Sequence, residues 1–236
     1  MIPMREDVLA PFDVADWTPN RAQAKFLARW HSHAHSCVSA MMGWGTGKTR
    51  LIVYLIQSTW ESCPNDDGVV ITDSLSRGAR TIGIEARLLE AIGWRYCNTY
   101  RGIPAPHYLS PAHHGGRSRV WIQSWKRPST KVKSANSIEG VDAGYALLDE
   151  ANQMTDPDGE VASAMWGRVR SGTVPRVGLL GKPTFSPWWR TWAERQKTGI
   201  FFTAASHCNK ENIPDFDNWV STVSYTHLTL PTILLV

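Results

Sequence analysis

Paired cysteines are the first thing this sequence lacks. Its four, Cys37, Cys63, Cys97 and Cys208, stand far apart without a Cys-x-x-Cys pair. That excludes a disulfide framework and a zinc ribbon, and points to a reducing, intracellular compartment. Long apolar runs are missing too. Nothing approaches the roughly 20 apolar residues of a membrane-spanning helix, and the opening MIPMREDVLAPFD has no apolar core of a secretory signal. No basic run is long enough for a nucleic-acid arm, and the formal charge of +4 permits an acidic partner without demanding one. The twelve tryptophans are many but scattered, as core and interface anchors are.

What is present is a chain of 236 residues, 42% hydrophobic and 19% charged, enough for one large globular domain or one domain plus a fragment. Apolar strand-like runs alternate with helix-like ones. NRAQAKFLARWH (20–31) puts Ala22, Phe26, Leu27 and Trp30 on one helical face. SCVSAMM (36–42) reads as a buried strand, KTRLIVYLIQSTW (48–60) as a buried helix, GVVITDS (68–74) as a strand and 77–94 as a helix. RVWIQSW (119–125) and YALLDE (145–150) read as strands and 158–170 as a helix. RVGLLGKPT (176–184) and IFFTAAS (200–206) are further strands, flanking a helix over 186–196 with Pro187 in its first turn. This alternation predicts an α/β fold, a parallel sheet with helices on both faces, and directs attention to the ends of the strands.

One turn carries the strongest chemical signal. MMGWGTGKTR (41–50) follows a strand and opens a helix. The phosphate-loop pattern GxxxxGK[ST] has glycine where this chain has Met42, and the Gly-x-Gly-Lys-Thr variant of nucleic-acid motors fits better. The site needs consecutive backbone N–H groups aimed at phosphate and a helix N-terminus behind them. Gly43, Gly45 and Gly47 supply the permissive backbone, with Thr46 and Arg50 beside them. Lys48 is expected to reach the β- and γ-phosphates and Thr49 to ligate Mg²⁺.

The second half of such a site is GYALLDEAN (144–152), where a strand delivers Asp149 and Glu150 to its carboxyl end. Asp149 is expected to hold the Mg²⁺ and Glu150 to orient and deprotonate the attacking water. The distance from the loop leaves room for two intervening strands, which favours the P-loop NTPase class with an additional strand and a catalytic glutamate (RecA-like). NKEN (209–212) is not the guanine reader NKxD, so ATP rather than GTP is expected. Upstream, WTPNRAQAKFL (17–27) is similar to the adenine-contacting Q-motif of helicase-like motors, with Gln23 as the base reader.

Taken together, TPNRAQAKFL, GWGTGKT, YALLDEANQM and VGLLGKPTFSPWWRTWAER (177–195) resemble the ATPase domain of the large terminase subunit of tailed bacteriophages, over about residues 17–216. Met42 and the wording Gly-Lys-Pro-Thr depart from that pattern. The resemblance implies ATP-driven packaging of double-stranded DNA. It implies Thr184 as a sensor of the γ-phosphate that relays hydrolysis to DNA movement. A homo-oligomeric ring on the prohead, a portal protein and a small terminase subunit would be the partners, and the host cytoplasm the setting. A superfamily 2 helicase-like ATPase shares both ATP motifs and is the second reading; a nucleotide- and DNA-binding fragment without turnover is the third.

The resemblance implies an ATPase domain over 1–205 and, over 206–222, the start of a linker toward a nuclease domain that these residues do not supply. VSYTHLTLPTILLV (223–236) resembles translated read-through of a sequencing adapter and is set aside as a non-native tail. Phosphoryl-transfer motors gain about 10³–10⁵ in rate from an arginine on the developing charge, and Arg21, Arg50, Arg168 and Arg170 are all candidates. Lys126, Arg127, Lys131 and Lys133 make a loose basic loop, either DNA-facing or simply solvated. His31, His33 and His35 alternate as metal ligands on a strand would, although a helix-to-strand loop fits them better; His113 and His114 read as loop.

Overall fold

The computed structural model describes residues 18–73, 82–83, 85–101, 103–112, 116–125, 142–154, 160–184, 187–213, 215–218 and 221. The basic loop, His113 and His114, and the tail after 221 lie outside these residues.

The first helix, α1 (Arg21–His31), starts at Asn20, whose side chain accepts from the N–H groups of Ala22 and Gln23. Gln23 answers by accepting from the Asn20 N–H, which completes a capping box. Its buried stripe is Ala22, Gln23, Phe26, Leu27 and Trp30. Strand β1 (Cys37–Met42) and helix α2 (Lys48–Ser62) follow, with the glycine turn between them. Then come β2 (Gly68–Thr72), the short α3 (Arg87–Ala91), β3 (Arg95–Tyr100), β4 (Ile103–Leu109), β5 (Arg119–Ser124) and β6 (Tyr145–Leu148). A 3₁₀ turn (Ala151–Gln153), α4 (Glu160–Arg168), β7 (Arg176–Gly181), α5 (Trp188–Arg195), β8 (Gly199–Ala204) and a second 3₁₀ helix (Ser206–Asn212) complete the described chain.

The strands form one sheet in the order β3-β4-β5-β2-β6-β7-β1-β8. From β5 to β8 every neighbour is parallel, while β3 and β4 are antiparallel additions beside β5. The expected parallel sheet is therefore mixed at one flank, and four strands rather than two separate the glycine turn from the paired acids. The hairpin escaped the sequence reading because Pro104 and Pro106 interrupt its strand pattern. They fall outside the pairing with β5, which uses only His107 to Leu109.

Alternation along the central strands sorts the core into two faces. Val38, Ala40 and Met42 of β1, Val70 of β2 and Tyr145 and Leu147 of β6 pack with α1, α2 and α3. Cys37, Val69, Ile71, Ala146, Leu148, Val177 and Leu179 pack on the other face with α4 and α5. Helix α2 is buried nearly all round, from Leu51 to Trp60, which explains its lack of a polar face. Truncating an anchor such as Phe26 or Trp30 is expected to cost about 3–5 kcal/mol. At the far end of the sheet, Lys25 Nζ lies 4.7 Å from the Phe202 ring, with Arg29 over the same ring, and Arg190 covers Phe201. No helix among the described residues is long and apolar enough to cross a membrane.

Candidate phosphate-binding site

Parallel register puts three strand ends side by side. Met41 of β1 is level with Gly181 of β7, and Leu148 of β6 pairs with Leu179 of β7. The turn after β1 and the acids after β6 thus leave the same edge, two strand spacings or about 10 Å apart, with the end of β7 between them.

The turn is held from inside. Gly45 and Gly47 have φ of 68° and 71°, backbone that glycine adopts without penalty. A side chain on Gly43 would collide with Ser206, and one on Gly47 with Gln23. Gly43 N–H donates to Ala204 O at 2.8 Å, tying the turn to β8. Thr46 Oγ1 donates to Gly43 O at 2.8 Å. The Lys48 ammonium, 7% exposed, donates to the carbonyls of Met42 and Gly43 at 3.2 and 3.1 Å. Among the described residues, the N–H groups of Gly45, Thr46 and Gly47 make no backbone hydrogen bond. That leaves an open set of donors at the start of α2, as an anion cradle requires.

The acids are close enough to feel the lysine. Burial pulls the Lys48 ammonium below the usual lysine range; Glu150 opposes this, Lys182 reinforces it and Asp149 opposes it again. Asp149, 3% exposed, is pushed up to about 7, first by burial and then by Glu150, against the pull of Lys48, the Glu150 N–H and Lys182. Glu150 sits in the left-handed region, φ 54° and ψ 47°, which costs a non-glycine residue energy and marks an over-determined position. Its Oε1 pairs with Lys182 Nζ at 3.1 Å, while Oε2 is buried without a hydrogen-bond partner among the described residues. A divalent cation here would favour both carboxylates in their charged form, and Oε2 has room in its bonding for a water. The residues present fit a metal-bound polyphosphate.

Several contacts of residues in the terminase-like stretch 177–195 were not read from the sequence. Lys182 also lies 4.1 Å from the ring of Trp44, which is 41% exposed on the glycine turn. Lys182 N–H donates to Asn152 Oδ1 at 2.8 Å, and Trp188 Nε1 donates to the carbonyls of Ala151 and Met154. The stretch around Trp188 therefore braces the turn that carries the acids. Of the residues singled out from sequence, Thr49 lies half-buried in the first turn of α2, and Thr184 is exposed just beyond β7. Gln23 is buried rather than open to a base. Its Nε2 donates to Gly47 O at 3.0 Å and its Oε1 accepts from Asn20 N–H. Arg50 pairs with Glu85 at 2.9 Å rather than facing the cradle, and Arg170 pairs with Asp142 on the surface. Arg21 is exposed and Arg168 half-buried. His31 ends α1, in hydrogen-bond contact with Ser58 Oγ at 2.9 Å, and His33 and His35 follow in the connection to β1.

No family model and no curated protein matches the sequence. Solved structures do match. The large terminase of the thermophilic bacteriophage D6E, in complex with ADP, superposes with a TM-score of 0.66 at 13% identity, over 86% of this chain and 49% of that one. The large terminase ATPase domain of Thermus phage P74-26 matches with a TM-score of 0.56 at 15% identity, over 87% of this chain and 93% of that one. The fold matches that of large-terminase ATPase domains. A Saccharomyces cerevisiae chain, Dbp5 bound to Nup159, Gle1, IP6 and ADP, follows with a TM-score of 0.52 at 11% identity, over 86% of this chain and 52% of that one. At these identities the likeness is one of fold. The chain spans about half the length of the D6E large terminase, 46% in another crystal form.

Proposed function

We propose that this chain is the ATPase domain of a phage large terminase, a Mg²⁺·ATP-hydrolysing motor for packaging double-stranded DNA. The observation that carries the reading is the sheet order β6-β7-β1. It places the glycine turn and the Asp149–Glu150 pair on one edge with a single strand between them. That is the additional-strand arrangement expected from the sequence, and the D6E and P74-26 terminases share the fold.

Bound Mg²⁺·ATP supplies a divalent charge and the phosphoanhydride to be cleaved. Lys48 exchanges its two loop carbonyls for the β- and γ-phosphates. Thr49 and Asp149 are the residues that would hold the metal. Glu150 accepts the proton of the attacking water, once its ion pair with Lys182 loosens. Thr184, at the end of β7, answers to the γ-phosphate. Gln23 supports the cradle from behind. Portal protein, small subunit, a ring of copies on the prohead and the host cytoplasm complete the proposal.

ATP hydrolysis with and without double-stranded DNA tests it. Turnover that rises with DNA and falls in Glu150→Gln is the expected result. Absence of nucleotide binding by the native chain would sink the reading. The fold likeness to Dbp5 supports the helicase-like alternative, which predicts ATPase stimulation by RNA or single strands in preference to duplex DNA.

A further inference from the structure

Glycine at 45 and 47 makes the cradle possible and also leaves it underdetermined. A peptide plane flanked by glycine flips at little cost, so the direction of each N–H must be fixed from outside. The first turn of α2 helps at Gly47, whose carbonyl accepts from Leu51 N–H at 2.9 Å, and side-chain amides act at all three planes. Asn209 Nδ2 donates to Gly45 O. Asn20 Nδ2 donates to Thr46 O at 3.1 Å. Gln23 Nε2 donates to Gly47 O at 3.0 Å. In a trans peptide the carbonyl and the next N–H point in opposite directions. Holding those three carbonyls outward therefore turns the N–H groups of Thr46, Gly47 and Lys48 inward.

Asn20 caps α1 and Gln23 lies in its first turn, both on the amino-terminal side of the glycine turn. Asn209 comes from the other end of the described chain, on the 3₁₀ helix that follows β8. That helix is broken at Asn209 itself, φ −116° and ψ 19°. Asn209 Oδ1 in turn accepts from Asn20 Nδ2 at 2.7 Å. Both hydrogens of the Asn20 amide are then used, and its Oδ1 accepts from Ala22 and Gln23. The Asn20 amide is saturated, so it has no hydrogen to spare for Gly45 O, and that carbonyl depends on Asn209.

We propose that Asn209 is a positioning residue of the phosphate loop: its amide sets the Gly45–Thr46 peptide plane and so presents the Thr46 N–H to a bound phosphate. The inference rests on the nucleotide-binding reading above for its consequence, but the plane itself is a property of the nucleotide-free chain.

The test uses Asn209→Leu, similar in size without hydrogen bonding, and Asn209→Asp, which keeps the acceptor toward Asn20 and loses the donor. Lys210→Ala, an exposed neighbour on the same 3₁₀ helix, serves as the control. In the absence of nucleotide, the amide ¹H and ¹⁵N resonances of Gly45 and Thr46 are expected to shift or broaden in both Asn209 variants as the freed peptide plane samples both orientations, and to stay put in the control, as do those of the sheet strands. With ATP, KM is expected to rise about tenfold with kcat within twofold, as for a lost uniform-binding contact. Unchanged Gly45 and Thr46 resonances in both variants would overturn the proposal, as would shifts spread equally through the sheet. If the native chain binds no nucleotide, the functional reading falls, and the loop resonances alone still decide the role of Asn209.

Discussion

The two ends of the sheet both bury charge, and they use it differently. At the amino end, Asp66 accepts from Thr173 N–H and from its hydroxyl at 2.8–3.0 Å. Arg176, 1% exposed, donates to the carbonyls of Trp30 and Val174 and lies 5.2 Å from the Trp30 ring. These charges tie α1 and the turn before β7 to the bottom of the sheet. At the carboxyl end, Lys48 spends its protons on the carbonyls of Met42 and Gly43, Asp149 is pushed toward its neutral form, and one oxygen of Glu150 has no hydrogen-bond partner among the described residues. The first set is tied mainly to backbone and serves the fold, with Arg176 Nη2 left over, buried and without a hydrogen-bond partner among the described residues. The second is held in a costly arrangement that a polyphosphate and a cation would relieve.

Substitutions can break that contrast. Glu150→Gln is expected to cut turnover by about 10²–10⁴-fold with nucleotide affinity within about threefold, measured by steady-state hydrolysis and nucleotide titration. Asp66→Ala is expected to remove about 1–3 kcal/mol of stability, because the Thr173 N–H and hydroxyl lose their acceptor. Denaturant unfolding reads that loss, and nucleotide affinity stays put. Lys48→Ala should weaken nucleotide binding by about 10–100-fold, the worth of charge-assisted hydrogen bonds near 1.5–3 kcal/mol. Its unfolding midpoint should hold or rise, since a buried ammonium is gone. A carboxyl-end change that costs mostly stability, or an amino-end change that costs mostly binding, would erase the distinction.

A further effect is one of pH. Burial, then Arg176 and His33, pull the His31 imidazole from 6.5 down to about 3. The unfolded chain therefore binds the proton that the native chain refuses between those values, and stability falls as pH drops from 6.5 toward 3. His31→Gln is expected to flatten that slope in denaturant unfolding at stepped pH, and to leave stability above pH 7 little changed.

What could be read from the sequence was whatever is contiguous in it. The glycine turn with its strand and helix, and the acids at the end of an apolar run, are local patterns, and both stand where such patterns place them. The contacts of Lys182 with Glu150 and of Asn209 with Gly45 are invisible to that reasoning. Lys182 reaches Glu150 only because β7 inserts between β6 and β1, and Asn209 reaches Gly45 only because β8 pairs with β1. Strand order is decided by crossovers, which leave no mark on neighbouring residues. Gln23 shows the halfway case. Its helical position before the turn was legible, but its partner is a backbone carbonyl, which no side-chain pattern announces. The 206–212 stretch, read as the start of a linker, carries the residue that finishes the loop. Arg176 looked like the ordinary first residue of a strand; only packing shows that its guanidinium is enclosed.

The cation-covered aromatics of β8 bear on how copies of this domain meet. Phe201 and Phe202 point to opposite faces of the last strand, and each carries an arginine or lysine over its ring. Positive charge on both sides of a terminal strand repels the same strand of another copy. Fibre-like growth by strand addition at this border is thereby discouraged.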